Sequence, residues 1–411
     1  MSHTNIKLYG TYWCSDCKRS KKFLGEQRVP YDFINIEENA EGQAFVRKLQ
    51  NGGMSIPTIV FEDGSFLVEP SNAQLAAKLG LETKAQCDYY DLITVGGGPT
   101  ALTTAIYGAR DGFDVLVIER SGLGGQAGLT ERLDNYPGFP EGVTGAEFAD
   151  RIVEQAKRFG VELLSAQEVV SISRDMEDYL VKTDAGHAYR AHAVLIATGS
   201  TYKRLGVPGE DDYIGAGIHF CATCDGPFYR GQEVAVIGGG NSAVEEAAFL
   251  TRFSPKVTIL ARSPELHASK VAIDKAVESP QIEVRFNTEV VEFKGANNHL
   301  NMVVTRNRES GEVSALRVPG VFVFIGLSPN SEPFRDIVAV NSQGFIVTGI
   351  DSQTSAPGIF AAGDARAGST KQLVSAAGEG AAAAIAIREY LRGHTPHAMA
   401  DVLAGRGTAT G

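Results

Sequence analysis

The apolar positions of the first eighty residues come in short runs with two different periods. IKLYG (6–10) and YDFINIE (31–37) read as strands. KRSKKFLGEQR (18–28) and AFVRKLQNGG (44–53) read as helices, the second closed by glycine. PTIVFEDGSFLV (57–68) predicts a hairpin around Asp63-Gly64, and AQLAAKLG (73–80) a last helix. These elements make residues 1–80 one small domain. LETKAQCDY then reads as a polar linker, placed at 81–88. From Tyr90 onward the pattern becomes apolar strand, glycine loop, helix, which is the α/β texture of a parallel sheet.

That texture occurs twice. DLITVGGGPTALTTAIYGARDGFDVLVIER (91–120) recurs as EVAVIGGGNSAVEEAAFLTRFSPKVTILAR (233–262). Each copy runs strand, Gly-x-Gly-x-x-Ala, helix, strand. Glu119 stands 21 positions after Gly98, and Ala261 stands 21 after Gly240. Both fit a Rossmann dinucleotide fingerprint in its proper context, with the pyrophosphate expected on the helix N-terminus. The copies differ where the ribose is read. Glu119 suits a free 2′-hydroxyl, so the first copy predicts an adenine dinucleotide such as FAD. Ala261 followed by Arg262 suits a 2′-phosphate, so the second predicts NADPH.

Composition narrows the class. A chain of 411 residues with 43% hydrophobic and 21% charged residues has room for two or three ordinary cores. A net charge of −11 leaves no basic footprint for nucleic acid. The start MSHTNIKLYG lacks the apolar run of a signal peptide, and AAGEGAAAAIAIREYL is too short and too charged at its flanks to span a bilayer. Five cysteines without a secretion signal favour a reducing compartment, hence a cytoplasmic protein with redox or metal roles.

Four of those cysteines form two Cys-x-x-Cys pairs: Cys14/Cys17 in LYGTYWCSDCKRS and Cys221/Cys224 in GIHFCATCDGPFYRG. A zinc ribbon needs its pairs about 15–20 residues apart. These lie in different domains, so no metal site is expected. A dithiol beside a flavin site and an NADPH site suits electron transfer instead. Asp225 can supply the acid for a leaving thiolate. In the first pair, Cys14 falls at a helix N-terminus, where free N–H groups favour a thiolate, and Cys17 sits one turn deeper. Cys14 is the expected nucleophile and Cys17 the resolving thiol. Asp16 opposes a thiolate at Cys14, while Lys18, Arg19, Lys21 and Lys22 favour it. Trp13 flanks the pair. Pro57 follows a glycine loop and precedes a strand, the setting for a cis proline that pairs an extended substrate. Cys87, in the linker, is expected to be an exposed thiol without a role.

The segments GGGPTALTTAIYGAR, GGQ, NYPGF, ATG, FCATCDGPFYRGQEVAVIGGGNSAVEEAAFL, VFVFIGLSPN and FAAGDAR, across residues 89–393, resemble bacterial thioredoxin reductase of the small, two-nucleotide-domain type. The resemblance implies an α/β homodimer. Its FAD domain has segments at 89–205 and 331–395, with an NAD(P)H domain and its dithiol inserted at 206–330. It implies rotation between these domains, Cys224 facing the flavin, Cys221 attacking the partner disulfide, and Asp225 as acid. For FAD it implies Gly96, Gly98, Pro99, Thr100, Glu119, Gly125, Gln126, Asn135, Ala197, Thr198, Gly199, Gly363, Asp364, Lys371 and Gln372. The segment KQLVSAAGEGAAAAIA is expected to close the site as a helix. For NADPH it implies Gly238, Gly240, Asn241, Ser242, Arg262 and His267. Two departures stand out. LARSPELHAS carries Arg262 alone, with His267 where a later arginine is usual, which leaves NADH open as an alternative. Lys371 occupies a position where the family tends to place arginine.

Residues 5–80 are similar to the glutaredoxin and mycoredoxin branch of the thioredoxin superfamily, on the strength of YGTYWCSDC and MSIPTIVF. DGSFLVEPSNAQL departs from the glutathione-binding segment of ordinary glutaredoxins, so the expected substrates are thioredoxin, a glutaredoxin-like protein or a low-molecular-weight disulfide. The combined reading is an NADPH-dependent thioredoxin-disulfide reductase fused to its own acceptor. Two alternatives stand beside it: a reductase like the alkyl hydroperoxide reductase flavoprotein, feeding a peroxiredoxin, and a low-turnover redox sensor. The tail 396–411 is expected to be disordered.

Overall fold

Strand Ile6–Gly10 organises the N-terminal domain. It pairs in parallel with Tyr31–Asn35 and antiparallel with Thr58–Val60, and Phe66–Val68 completes a four-stranded sheet. This computed structural model describes residues 6–392, except Glu131, Asn297 and Asn298 and the side chains of Thr223 and Cys224. The tail expected to be disordered lies outside the described residues. Helices Ser15–Glu26 and Asn72–Lys78 bury Phe23, Leu24 and Leu75 against Ile6, Leu8 and Ile59. The hairpin takes the expected place, with Phe61 N–H donating to the Ser65 carbonyl across the turn. A reciprocal Ser71–Gln74 capping box starts the last helix.

The first glycine repeat lies in a seven-stranded sheet. Tyr89–Val95 and Val115–Ile118 run parallel at its centre, and Ala188–Ile196 pairs both with Tyr89–Val95 and with the distant Ile359–Ala361. The domain is thus closed by two separated stretches of chain. Helices Pro99–Arg110 and Leu373–Leu391 seal it from one face, where Thr104 Oγ1 donates to the Gly380 carbonyl at 2.8 Å. A Cβ at Gly380 would collide with the Thr100 carbonyl, so glycine permits this close approach.

The second repeat lies in a five-stranded parallel sheet of order Ile218–His219, Gly320–Val323, Val234–Ile237, Val257–Leu260, Ile282–Arg285. A three-stranded antiparallel sheet, Thr288–Ala296, His299–Asn307 and Val313–Leu316, packs over it. The chain enters this domain through Ser200–Tyr202 and leaves through Leu327–Pro329. These two strands pair antiparallel, making a narrow ribbon between the nucleotide domains.

The 81–88 segment is polar but tied down. Ser165 N–H donates to the Glu82 carbonyl, Ala85 N–H to the Tyr189 hydroxyl at 3.1 Å, and Gln86 N–H to Glu162 at 2.6 Å. Ala85 itself is buried in the core of the first repeat's domain. The small domain also touches that domain through the C-terminal end of helix Ser15–Glu26. Arg28, in a left-handed conformation at φ 54°, donates to Asp150 Oδ1 at 2.9 Å. Its guanidinium occupies the space a Cβ on Gly128 would need, and the Glu26 carbonyl abuts Gly122. Cys14 is at the other end of that helix, ~18 Å away at 1.5 Å per residue.

A partly buried ion pair of this kind contributes about 1 kcal/mol. Arg28→Glu or Asp150→Arg should therefore accelerate protease cleavage within 81–88 about fivefold. The double charge swap should restore most of the protection, and cleavage rates followed by mass spectrometry check both.

Candidate redox site

Cys14 is the N-cap of helix Ser15–Glu26, and its Sγ accepts the Cys17 N–H at 3.1 Å. Free N–H groups at a helix start stabilise negative charge on such a sulfur. Cys14 is 8% exposed and Cys17 fully buried. Burial, followed by the Cys14 contact, pushes the Cys17 thiol up to about 12. One sulfur thus lies at a helix start, slightly exposed, and its fully buried neighbour is held toward the protonated thiol. Asp16 is paired with Arg19 Nη1 at 2.6 Å, which offsets its opposition to a Cys14 thiolate. The Ile56–Pro57 peptide is cis, and the Ile56 carbonyl faces Cys14 Sγ at 3.8 Å. Trp13 is 68% exposed beside the sulfur, with its indole donating to Glu37 at 2.9 Å. Cys87 is exposed and is not part of a disulfide.

Of the residues expected at a flavin, Glu119, Gly125, Ala197 and Gly363 meet the first glycine loop and its helix, and the others pair elsewhere. Gly96 has φ 105° and abuts the Ala197 carbonyl, so the loop and the ATG segment need each other's shape. Gly98 caps helix Pro99–Arg110 without any side-chain hydrogen bond, and a Cβ there would meet only open space. That is an anion cradle with its N–H groups unclaimed by a side-chain cap. Glu119 is buried, accepts N–H bonds from Gly97 at 2.5 Å and Ser121 at 2.7 Å, and is raised by burial. Gly125, at φ 58°, sits against Gly98, and Gln126 follows it in a short helix. Asn135 reaches Gln372 at 3.4 Å. Thr198 Oγ1 donates to the Asn330 carbonyl, while Gly199 turns at φ 69° into the ribbon. Gly363 packs on Thr100. Burial pushes the Asp364 carboxyl up, and Lys371 Nζ donates to the Asp364 carbonyl at 2.5 Å. This arrangement fits an adenine dinucleotide: an open cradle, a buried acid one strand over, and a second acid facing from the returning segment.

The second loop repeats the cradle. Gly238, at φ 141°, abuts the Phe324 carbonyl, and Gly240 caps helix Asn241–Leu250 with no side-chain bond and open space before it. Asn241 Oδ1 accepts the Ser269 N–H at 2.6 Å, Ser242 is exposed beside it, and His267 N–H bonds the Gly239 carbonyl. Ala261 is buried and Arg262 exposed, so no acid stands where a ribose hydroxyl would be read.

Between the two lies the second cysteine pair. Cys221 is disulfide-bonded and half-buried before helix Ala222–Asp225. Asp225 Oδ2 lies 3.5 Å from His219 Nδ1, whose other nitrogen contacts the Tyr229 hydroxyl at 2.6 Å. Phe220 stacks on Tyr202 at 4.8 Å and 20°. Burial first, then the carboxylates of Asp364 and Asp225, push the Tyr202 hydroxyl up to about 12. One tyrosine therefore senses the acid of the flavin segment and the acid of the dithiol segment together. Sequence reasoning missed Tyr202, His219 and Phe220. Their nearness to ATG and CATCD was the available signal, but aromatic residues at such spacing are as often simple core.

At pH 7.5, iodoacetamide should modify Cys14 of the reduced protein at least about a hundredfold faster than Cys17, because only the thiolate reacts. Peptide mapping checks this. Cys17 labelling should rise only well above pH 9. The same raised value predicts a stability increment present below the unfolded thiol's pKa and lost as pH climbs toward the folded one.

Residues 90–380 match the model of the pyridine nucleotide-disulphide oxidoreductase family, and residues 6–67 match that of glutaredoxin. Thioredoxin reductase of Bacillus subtilis is 40% identical over 304 residues, covering 74% of this chain and 95% of that protein. A bifunctional thioredoxin reductase/thioredoxin of Mycobacterium leprae is 42% identical over 306 residues, 74% of this chain and 66% of that one. Among solved structures, thioredoxin reductase of Streptococcus pyogenes superposes with a TM-score of 0.71 at 37% identity, over 74% of this chain and 99% of that one. With two glycine cradles, a dithiol segment between them and a second dithiol on a separate sheet, the chain belongs to the thioredoxin reductases of the pyridine nucleotide-disulphide oxidoreductase family, and carries a glutaredoxin domain at its N-terminus.

Proposed function

We propose that the chain is an NADPH-dependent, FAD-containing disulfide reductase that reduces its own Cys14/Cys17 pair and, through it, an outside disulfide. The observation that carries this reading is the stack of Phe220, the residue before Cys221, on Tyr202, which follows the ATG segment; it supports a dithiol segment lying against the entry to the first nucleotide domain. When bound, the flavin supplies the two-electron passage between the nicotinamide nucleotide and the dithiol. Gly96, Gly98, Glu119 and Asp364 would hold FAD, and Gly238, Gly240 and Arg262 would hold NADPH.

The chain's own sulfurs do the rest. Cys221 as thiolate attacks the Cys14 sulfur of an oxidised Cys14–Cys17 pair. The new S–S bond joins Cys221 to Cys14, and Cys17 leaves and takes a proton, as its raised affinity favours. Cys224 then attacks Cys221, which releases Cys14 as the leaving thiolate. Asp225 supplies or accepts the proton at this pair, with His219 and Tyr229 behind it. Cys14 next attacks the outside disulfide, and Cys17 resolves that mixed disulfide, regenerating the oxidised pair. Fusion keeps the two pairs at high effective concentration. A homodimer in the cytoplasm belongs to this reading. The acceptor is thioredoxin, a glutaredoxin-like protein or a low-molecular-weight disulfide. Among the described residues no helix is long and apolar enough to cross a membrane.

With Cys221 and Cys224 both changed to serine, NADPH should still bleach the flavin absorbance. Reduction of Cys14/Cys17 should fall at least about a hundredfold, since exchange requires the thiolate. An undiminished rate would sink the relay. Cys14→Ser should in turn abolish turnover with the true acceptor when thioredoxin, glutathione disulfide, a mycothiol mixed disulfide and a peroxiredoxin are compared. Turnover with peroxiredoxin alone would favour the peroxide-linked alternative.

A further inference from the structure

The loop after strand Val257–Leu260 offers a single guanidinium, because Arg262 is followed by Ser263. The fold brings a second one to it from 46 positions downstream. Arg308 follows strand His299–Asn307, and its Nη1 donates to the Arg262 carbonyl at 3.1 Å. The backbone holds it there as well: Arg308 N–H donates to the Asn287 carbonyl at 2.6 Å, and Asn287 N–H to the Ser263 carbonyl at 3.1 Å. Arg308 is thereby bonded by its side chain to Arg262 and linked by main chain, through Asn287, to Ser263, the two residues that follow Ala261.

The surrounding charges leave this arginine available. Glu289 is the carboxylate in reach, with Oε2 3.7 Å from Arg308 Nε. Its closer partner is Arg306, whose Nε and Nη2 donate to Glu289 Oε1 at 2.8 and 2.6 Å. One carboxylate therefore faces two arginines, and Arg262 adds a third positive charge. Glu265 and Glu309 are exposed neighbours in sequence, and among the described residues neither pairs with Arg308. The Arg308 side chain is 53% exposed, so an anion can approach it from solvent.

We propose that Arg308 is a specificity-determining residue of the second nucleotide site, sharing with Arg262 the 2′-phosphate of NADPH. The inference rests on the reading of that site as one for NADPH. Two arginines from loops after separate strands, joined where the Arg308 side chain bonds the Arg262 carbonyl, offer positive charge that a 2′-hydroxyl cannot exploit and a phosphate dianion can. The discrimination against NADH is thus built from the three-stranded sheet as well as from the Rossmann loop.

The test uses the full-length flavin-loaded protein and isothermal titration with two probes, adenosine 2′,5′-bisphosphate and adenosine 5′-monophosphate. Wild type should prefer the bisphosphate. Arg308→Gln should weaken the bisphosphate about five- to tenfold and leave the monophosphate unchanged, as expected for one charge-assisted bond. Arg262→Gln, the control, should weaken the bisphosphate at least as much. If Arg262→Gln removes the preference and Arg308→Gln does not, the proposal is overturned while the NADPH reading stands. If Arg308→Gln weakens both probes equally, its role is structural and the proposal is again overturned. If wild type itself binds the two probes alike, the NADPH reading falls and takes the proposal with it.

Discussion

Thr100 is where the reductase part of the chain closes on itself. Its carbonyl lies against Gly380 and its hydroxyl against Gly363, and that hydroxyl donates to the Ala376 carbonyl at 3.0 Å. All three partners come from the returning C-terminal segment, more than two hundred positions away. Any side chain at Gly380 would push the two helices apart, and interiors absorb such overpacking at about 1–3 kcal/mol. The helix that the first glycine cradle opens and the Gly363–Asp364 turn are held together by this contact. The inserted nucleotide domain can then be carried on two paired strands without disturbing the flavin side.

The two dithiols solve one chemical problem in different surroundings. At Cys14/Cys17 the fold separates the sulfurs by depth: one caps a helix, the other is sealed beneath it. Burial raises the Cys17 thiol, while Cys14 lies where the helix N–H groups begin. At Cys221 the control lies in neighbouring acids and aromatic rings, with His219 held between Asp225 and Tyr229. Phe220 stacking on Tyr202 also joins the dithiol segment to the ribbon strand, so a rotation of one nucleotide domain against the other must break or carry that stack.

The glutaredoxin domain is seated rather than loosely tethered. Arg28 and Glu26 press on Gly122–Gly128, the loop whose Gly125 leans on the first cradle. The contact uses the end of helix Ser15–Glu26 opposite to Cys14. Cys14, with Tyr12 59% and Trp13 68% exposed beside it, lies away from that contact. The domain contact and the Cys14/Cys17 pair thus lie at opposite ends of one helix.

Much of this was legible in the chain itself. Glycine spacing, the Glu119 and Ala261 contrast and the two Cys-x-x-Cys pairs are local patterns, and local geometry obeys them: both loops cap helices, Pro57 is cis, and Cys14 starts a helix. These features depend on residues within a few positions of one another, so sequence alone determines them. What the tertiary structure decided are meetings between distant residues. Arg308 reaches the loop of Arg262, Tyr202 senses both Asp225 and Asp364, and Arg28 finds Asp150 across a linker that proved bonded along its length. No periodicity encodes such encounters, because each follows from how whole sheets and helices pack and not from any spacing along the chain.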